Sequence, residues 1–122
     1  MISQQVLKFA ADTSNYGLKK KSNFVATSKN KFCGDKITVE LEIKKKIIKR
    51  MNYETESCVF CQASASLLSR IIENKSINIS TSLLSYVKVK NRDFKELLKK
   101  KERINCIMLP LQALQKAINN IK

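Results

Sequence analysis

The sequence predicts an α+β fold, a three-stranded antiparallel sheet with helices packed on one face. Two patterns carry the prediction. Ile37, Val39, Leu41 and Ile43 alternate with Thr38, Glu40 and Glu42, the period-two pattern of a strand with one buried and one wet face. Leu111, Leu114, Ile118 and Ile121 recur at helical spacing and form one apolar stripe. The order of elements completes it: a helix, three strands and then helices, which segregates the two kinds of structure instead of alternating them.

Ser3 to Ala11 reads as a short amphipathic helix with Val6, Leu7 and Ala10 on one side, ended by Thr13-Ser14-Asn15-Tyr16-Gly17. Asn23 to Ser28 is a first strand. Ile37 to Ile43 is the second, Lys44 to Lys46 the turn, and Ile47 to Glu54 the returning strand of an antiparallel hairpin. From Cys58 the pattern becomes helical. Ala63-Ser64-Ala65-Ser66 allows close approach to another backbone, and Leu67, Leu68, Ile71 and Ile72 supply an apolar face until Asn74-Lys75. A further helix is expected over Ser80 to Val89. Asp93 with Glu96 three later reads as a capping box opening a helix through Lys101. Cys106 falls in the short loop before the last helix, where Pro110 suits the first turn.

The 122 residues have the size of one domain, spanning 1–122, enough to bury roughly two thirds of the unfolded surface. Glycine is scarce and the single proline is Pro110, so no linker divides the chain. No run approaches the ~18 consecutive apolar residues of a membrane span. Met1 to Phe9 has no apolar core flanked by a cleavage site, so a secretory signal is not expected. The expected compartment is the cytoplasm, where thiols stay reduced and four cysteines suggest metal or sulfur chemistry before disulfides. Twenty-four Lys and Arg against ten Asp and Glu give a net charge of +14, enough to attract phosphate backbones. Yet the basic residues are spread along the chain, are mostly Lys, and are not interleaved with aromatics for base stacking. A solvated lysine surface is the better reading than a nucleic-acid interface.

The chain contains no histidine, so a soft metal must be held by thiolates, helped at most by carboxylates, a donor set that suits zinc, ferrous iron and iron–sulfur clusters. The hairpin places Cys33, before one strand, and Cys58, after its partner, at the same end of the sheet. Cys58 stands at a helix N-terminus, where unpaired N–H groups and the helix dipole favour a thiolate. Cys106 sits similarly. Each cysteine alone is as readily a small buried hydrophobe; three together at element starts favour a site. Cys61, one helical turn beyond Cys58, is helix packing first and a spare metal ligand second. Asp35 beside Gly34 reads equally as a turn residue bonding its own backbone and as an oxygen ligand that lets go easily.

Cys33-Gly34-Asp35, then Cys58 followed by Ala63-Ser64-Ala65-Ser66, then Cys106 followed by Leu109, Ala113 and Leu114, resemble the iron–sulfur cluster assembly scaffolds of the NifU N-terminal, IscU and SufU type. The spacings, 25 residues from Cys33 to Cys58 and 48 from there to Cys106, make the combination specific. The resemblance implies a SufE/NifU-like α+β scaffold that is not an ordinary enzyme. Its ligands would be Cys33, Asp35, Cys58 and Cys106, holding iron or zinc when empty and a [2Fe–2S] cluster when loaded. Sulfur would come as persulfide from a cysteine desulfurase, with Cys106 or Cys58 as acceptor, and the cluster would pass to apoproteins or carriers. Arg103, three before Cys106, matches a basic residue of the family and would steady a thiolate. Asn105 stands where the IscU branch has histidine, and Ser57 where glycine usually precedes the second cysteine. Two other readings share these residues: a zinc-bound SufU-type sulfur acceptor, and a basic module for nucleic acid with zinc closed in by Cys33, Cys58, Cys61 and Cys106.

Overall fold

The structure, a computed structural model, describes residues 4–19, 24–30, 34–76, 87 and 91–119. In chain order the elements are α1 (Gln4–Ala11), β1 (Phe24–Lys29), β2 (Lys36–Lys44), β3 (Ile47–Glu56), α2 (Val59–Ile71), β4 (Lys75–Ser76), α3 (Arg92–Leu97), a 3-10 turn (Lys101–Arg103) and α4 (Ile104–Asn119). The sheet is antiparallel in the order β1-β2-β3-β4. It therefore has four strands among the described residues, not the expected three. The extra strand, paired through Ile47 and Ile48, is two residues long and too short to leave an alternation in the sequence. It exists because Asn74, at φ 64°, turns the chain back and donates its N–H to the Ile48 carbonyl at 2.7 Å.

The alternation of β2 puts Ile37, Val39 and Leu41 on the inner face, opposite Met51 and Tyr53 of β3, all of them buried. The helices cover that face: α4 lies on β1 and β2, α2 on β3, and α1 against α2. The hairpin turns through Lys45 and Lys46, both at positive φ (52° and 63°), the two-residue geometry whose twist matches the flanking strands. A bulge between Glu42 and Ile43 shifts the register, so that Ile43 faces Ile48 instead of Lys49. The extra residue delivers Ile48 to the core and leaves Lys49 exposed.

Several expected details differ. In α1, Val6 is buried with Phe9 and Ala10 packed beside it, whereas Leu7 is 49% exposed; the covered face follows the i, i+3, i+4 spacing and leaves Leu7 off it. The cap of α3 is Asn91, whose side chain accepts from the Phe94 N–H at 2.8 Å. Asp93 sits inside the first turn and instead accepts from Gln5 Nε2 at 2.6 Å, and the helix stops at Leu97. The last helix starts at Ile104, ahead of Cys106, so Pro110 lies within it. Burial of Ile107, Leu111 and Leu114 around the proline outweighs the one hydrogen bond it removes, normally a cost of ~3 kcal/mol. The helix expected over 80–89 lies outside the described residues apart from Val87, which is buried, and Ile121 of the apolar stripe also lies outside.

Candidate functional site

The hairpin register sets the site. Lys36 pairs with Glu56, so the residue before β2 and the residues after β3 meet at one end of the sheet. Asp35 is the former. The connection leading to it from β1 is closed by Asn30 N–H on the Asp35 carbonyl (2.7 Å) and Gly34 N–H on the Asn30 carbonyl (2.9 Å). Gly34 sits there at φ +75°, a conformation that side-chain-bearing residues adopt with strain. Cys58 follows β3 as the N-cap of α2, in extended conformation and with no side-chain cap bond. Cys106 enters from the third side, in the first turn of α4.

These three residues converge. One ligand atom each from Asp35, Cys58 and Cys106 all lie within 4.8 Å of one another. Asp35 and Cys106 are buried and Cys58 is half-buried, so the group opens to solvent on the Cys58 side. Among the described residues, Asp35 Oδ2 is buried without a hydrogen-bond partner. A carboxylate oxygen left unpaired inside a protein is costly, and beside two thiols it is the arrangement a cation relieves. The Cys106 thiol is pushed well above its ordinary range, first by burial and then by Cys58 and the Asp35 carboxylate beside it. A bound cation reverses that preference by favouring thiolate over thiol. Cys33 lies outside the described residues.

Cys61 is fully buried and outside this group of ligand atoms. Its Sγ is 3.9 Å from Thr55 Oγ1. Thr55 Oγ1 donates to the Lys36 carbonyl at 2.7 Å, which makes it the acceptor toward Ser57 Oγ at 2.6 Å and toward the Cys61 thiol. Burial pushes that thiol up to about 11 despite these hydroxyls, so it stays protonated at neutral pH. The hydroxyl pair was not apparent from sequence: the expected strand ended at Glu54, and Thr55 belongs to its observed extension. Arg103, in the 3-10 turn before α4, is exposed with its guanidinium carbon 5.7 Å from the ring centroid of Phe60, which places it two residues along α2 from Cys58.

The small-residue stretch of α2 explains how Cys58 and Cys106 come together. Ala63, Ser64 and Ala65 are wholly buried, and Ser64 Oγ donates to the Ile107 carbonyl at 2.6 Å. Only short side chains let α2 approach α4 that closely.

A family model described as NifU-like N terminal domain matches residues 1–122. The chain belongs to this family. As a NifU-like domain it has curated relatives of matching description. It is 27% identical over 134 residues to the iron–sulfur cluster assembly scaffold protein IscU of Thermotoga maritima, covering 99% of this chain and 94% of that protein. It is 32% identical over 89 residues to iron sulfur cluster assembly protein 1 of Trachipleistophora hominis, covering 72% of this chain and 60% of that protein. Solved structures share the fold. A NifU-like protein (N-terminal) from Brucella abortus superposes with a TM-score of 0.82 at 24% identity, covering 98% of this chain and 92% of its own. A SufU from Fervidobacterium islandicum, described as a scaffold for the SUF system, gives 0.80 at 20% identity with 96% of each chain covered. The NifU-like domain is thus a member of the iron–sulfur cluster assembly scaffold family. Among the described residues no helix is long and apolar enough to cross a membrane.

Proposed function

We propose that this chain binds iron and assembles a [2Fe–2S] cluster on Cys33, Asp35, Cys58 and Cys106, taking persulfide sulfur from a cysteine desulfurase and passing the cluster to apoproteins or carriers. The observation that carries the reading is the convergence of Asp35, Cys58 and Cys106 within 4.8 Å, around a carboxylate oxygen that has no hydrogen-bond partner among the described residues. Thiolates bind iron strongly, and a carboxylate among them is a harder, more readily exchanged donor. Asp35 is therefore the ligand whose release lets the cargo leave. Cys58, half-buried at the opening, and Cys106 are the sulfur acceptors, and Arg103 is the cation placed to steady a thiolate near Phe60. The unit is the whole span 1–122, acting in the cytoplasm as a scaffold instead of turning over a substrate.

The test is anaerobic incubation with ferrous iron, cysteine and a cysteine desulfurase, followed by absorption and Mössbauer spectra. A brown product containing acid-labile sulfide is expected. Replacement of Cys33, Cys58 or Cys106 by Ala should abolish it, and Asp35→Ala should lengthen its lifetime. A product that holds zinc and persulfide but no sulfide-bridged iron would replace cluster assembly by SufU-type sulfur transfer. Equal yields from all variants would remove these residues from the site.

A further inference from the structure

Cys58 and Cys61 stand three residues apart at the start of α2, and the cargo site uses one of them. Cys58 is the half-buried N-cap at the opening, and Cys61 is the fully buried thiol one turn below. The turn between them is closed by the Gln62 N–H on the Cys58 carbonyl at 3.2 Å. Side chains at this spacing have Cβ atoms about 5–6 Å apart, and a disulfide needs about 3.5–4.5 Å. A cap residue, whose own backbone is extended and not helical, can close that gap without unwinding α2.

We propose that Cys61 is a resolving thiol: it attacks the inner sulfur of a persulfide carried by Cys58, closing a Cys58–Cys61 disulfide and expelling the outer sulfur as sulfide. The inference rests on the reading of Cys58 as a sulfur acceptor. The balance is complete. The Cys61 S–H gives up its proton, its sulfur bonds to Cys58 Sγ, and the bond from Cys58 Sγ to the outer sulfur breaks. The outer sulfur leaves with the electron pair and the proton as hydrosulfide, so Cys61 is oxidised and the sulfane sulfur reduced. Hydrosulfide is a weaker base than an alkyl thiolate and leaves faster. A dithiol reductant supplies the two electrons that reopen the disulfide and return Cys58 to the site.

The surroundings favour Cys61 over Cys106 as the attacking group. Cys106 is also near Cys58, but it is on another helix and is one of the three converging ligand residues. Cys61 lies one turn from Cys58 on the same helix, with its sulfur 3.9 Å from Thr55 Oγ1, and its proton passes to the departing sulfur. Resolution by Cys61 also leaves Cys106 and Asp35 free for iron, so sulfide is released beside donors already able to receive metal.

The test loads the full chain with sulfur in two parallel ways, with cysteine desulfurase plus cysteine and with inorganic polysulfide, in the absence of iron and of added thiol. Released sulfide is measured with time, and intact-mass and peptide mass spectrometry locate persulfide and disulfide. The expected result is close to one sulfide per loaded chain together with a Cys58–Cys61 disulfide. Cys61→Ser and Cys61→Ala should each keep the extra sulfur on Cys58 and release sulfide at least about tenfold more slowly, as loss of the attacking thiol requires. Equal release from parent and both variants, or a disulfide joining Cys58 to Cys106, overturns the proposal. If polysulfide loading gives the disulfide and the desulfurase loads nothing, the resolving role is upheld and the desulfurase partnership fails.

Discussion

Asp35→Ala should make the iron-free protein more stable. Asp35 is 7% exposed and its Oδ2 meets no donor among the described residues. A buried acceptor without a partner costs about 1–3 kcal/mol. Against the gain stands the contact with the Cys106 thiol, a weak donor worth about 0.5–1 kcal/mol. The loop itself survives, because Asn30 bonds the main-chain carbonyl of residue 35. The net expectation is a gain of about 1 kcal/mol. With a urea slope of about 2 kcal/mol/M for a chain of this size, the midpoint rises by about 0.5 M. Unfolding in urea with a chelator, read by circular dichroism, measures this directly. Ferrous iron added without oxygen should reverse the order, since the parent binds it better and gains by mass action. Asp35→Asn should gain less than Ala, because it removes the charge and leaves a buried amide to satisfy. A midpoint in chelator that stays put or falls for Asp35→Ala would show that the carboxylate is adequately solvated and has no need of a cation.

Stability should decline on the alkaline side. Cys61 and Tyr53 are raised to about 11 and about 12, mainly by burial. The unfolded chain therefore loses these protons first, near its ordinary values of 9.0 and 10.0, and stability present below pH 9 falls as pH rises toward 12. Cys61→Ser should flatten the stretch between pH 9 and 11 by about 2 kcal/mol, read from urea midpoints at each pH; parallel curves would refute the assignment to Cys61. Ser64→Ala removes the buried bond to the Ile107 carbonyl and should cost about 1 kcal/mol. An unchanged midpoint would mean that α2 and α4 are held together by shape alone.

The sheet and the three converging residues were legible for specific reasons. Strand β2 is half-buried, so its period of two survives in the letters, and a short lysine turn forces its neighbour to be antiparallel. From those two facts the sequence places Cys33 and Cys58 at one end. Cys33 lies outside the described residues; Asp35, two residues later, is found there with Cys58, because Lys36 lies opposite Glu56. The details that escaped were decided by tertiary contact. Leu7 and Phe9 are interchangeable by hydrophobicity, and only the packing of α1 on α2 chooses Phe9. Pro110 is a helix starter by local chemistry but sits inside α4 because its flanking residues are core. Strand β4 depends on Asn74 turning left-handed, which a two-residue strand cannot announce.

The geometry of the site depends on two constraints that meet only there. One is strand register. A slip of one residue would carry Asp35 about 3.3 Å along the sheet, a distance comparable to the 4.8 Å spread of the ligand atoms. The bulge at Glu42/Ile43 absorbs the mismatch between a two-residue turn and the core pattern close to the turn, so the pairing from Glu42 back to Lys36 stays regular. The other is the clasp of α2 on α4. Pro110 has no N–H to give the Cys106 carbonyl, and the next carbonyl, that of Ile107, is taken by Ser64. The start of α4 is therefore tied across to α2 within one residue of the Cys106 sulfur's own backbone. Cys58 begins α2, so the two sulfurs are spaced by helix packing while the carboxylate is placed by the sheet. Asp35 is accordingly the member of the group that can change without disturbing the thiol pair, which is the property the proposed cargo site needs at its releasing side.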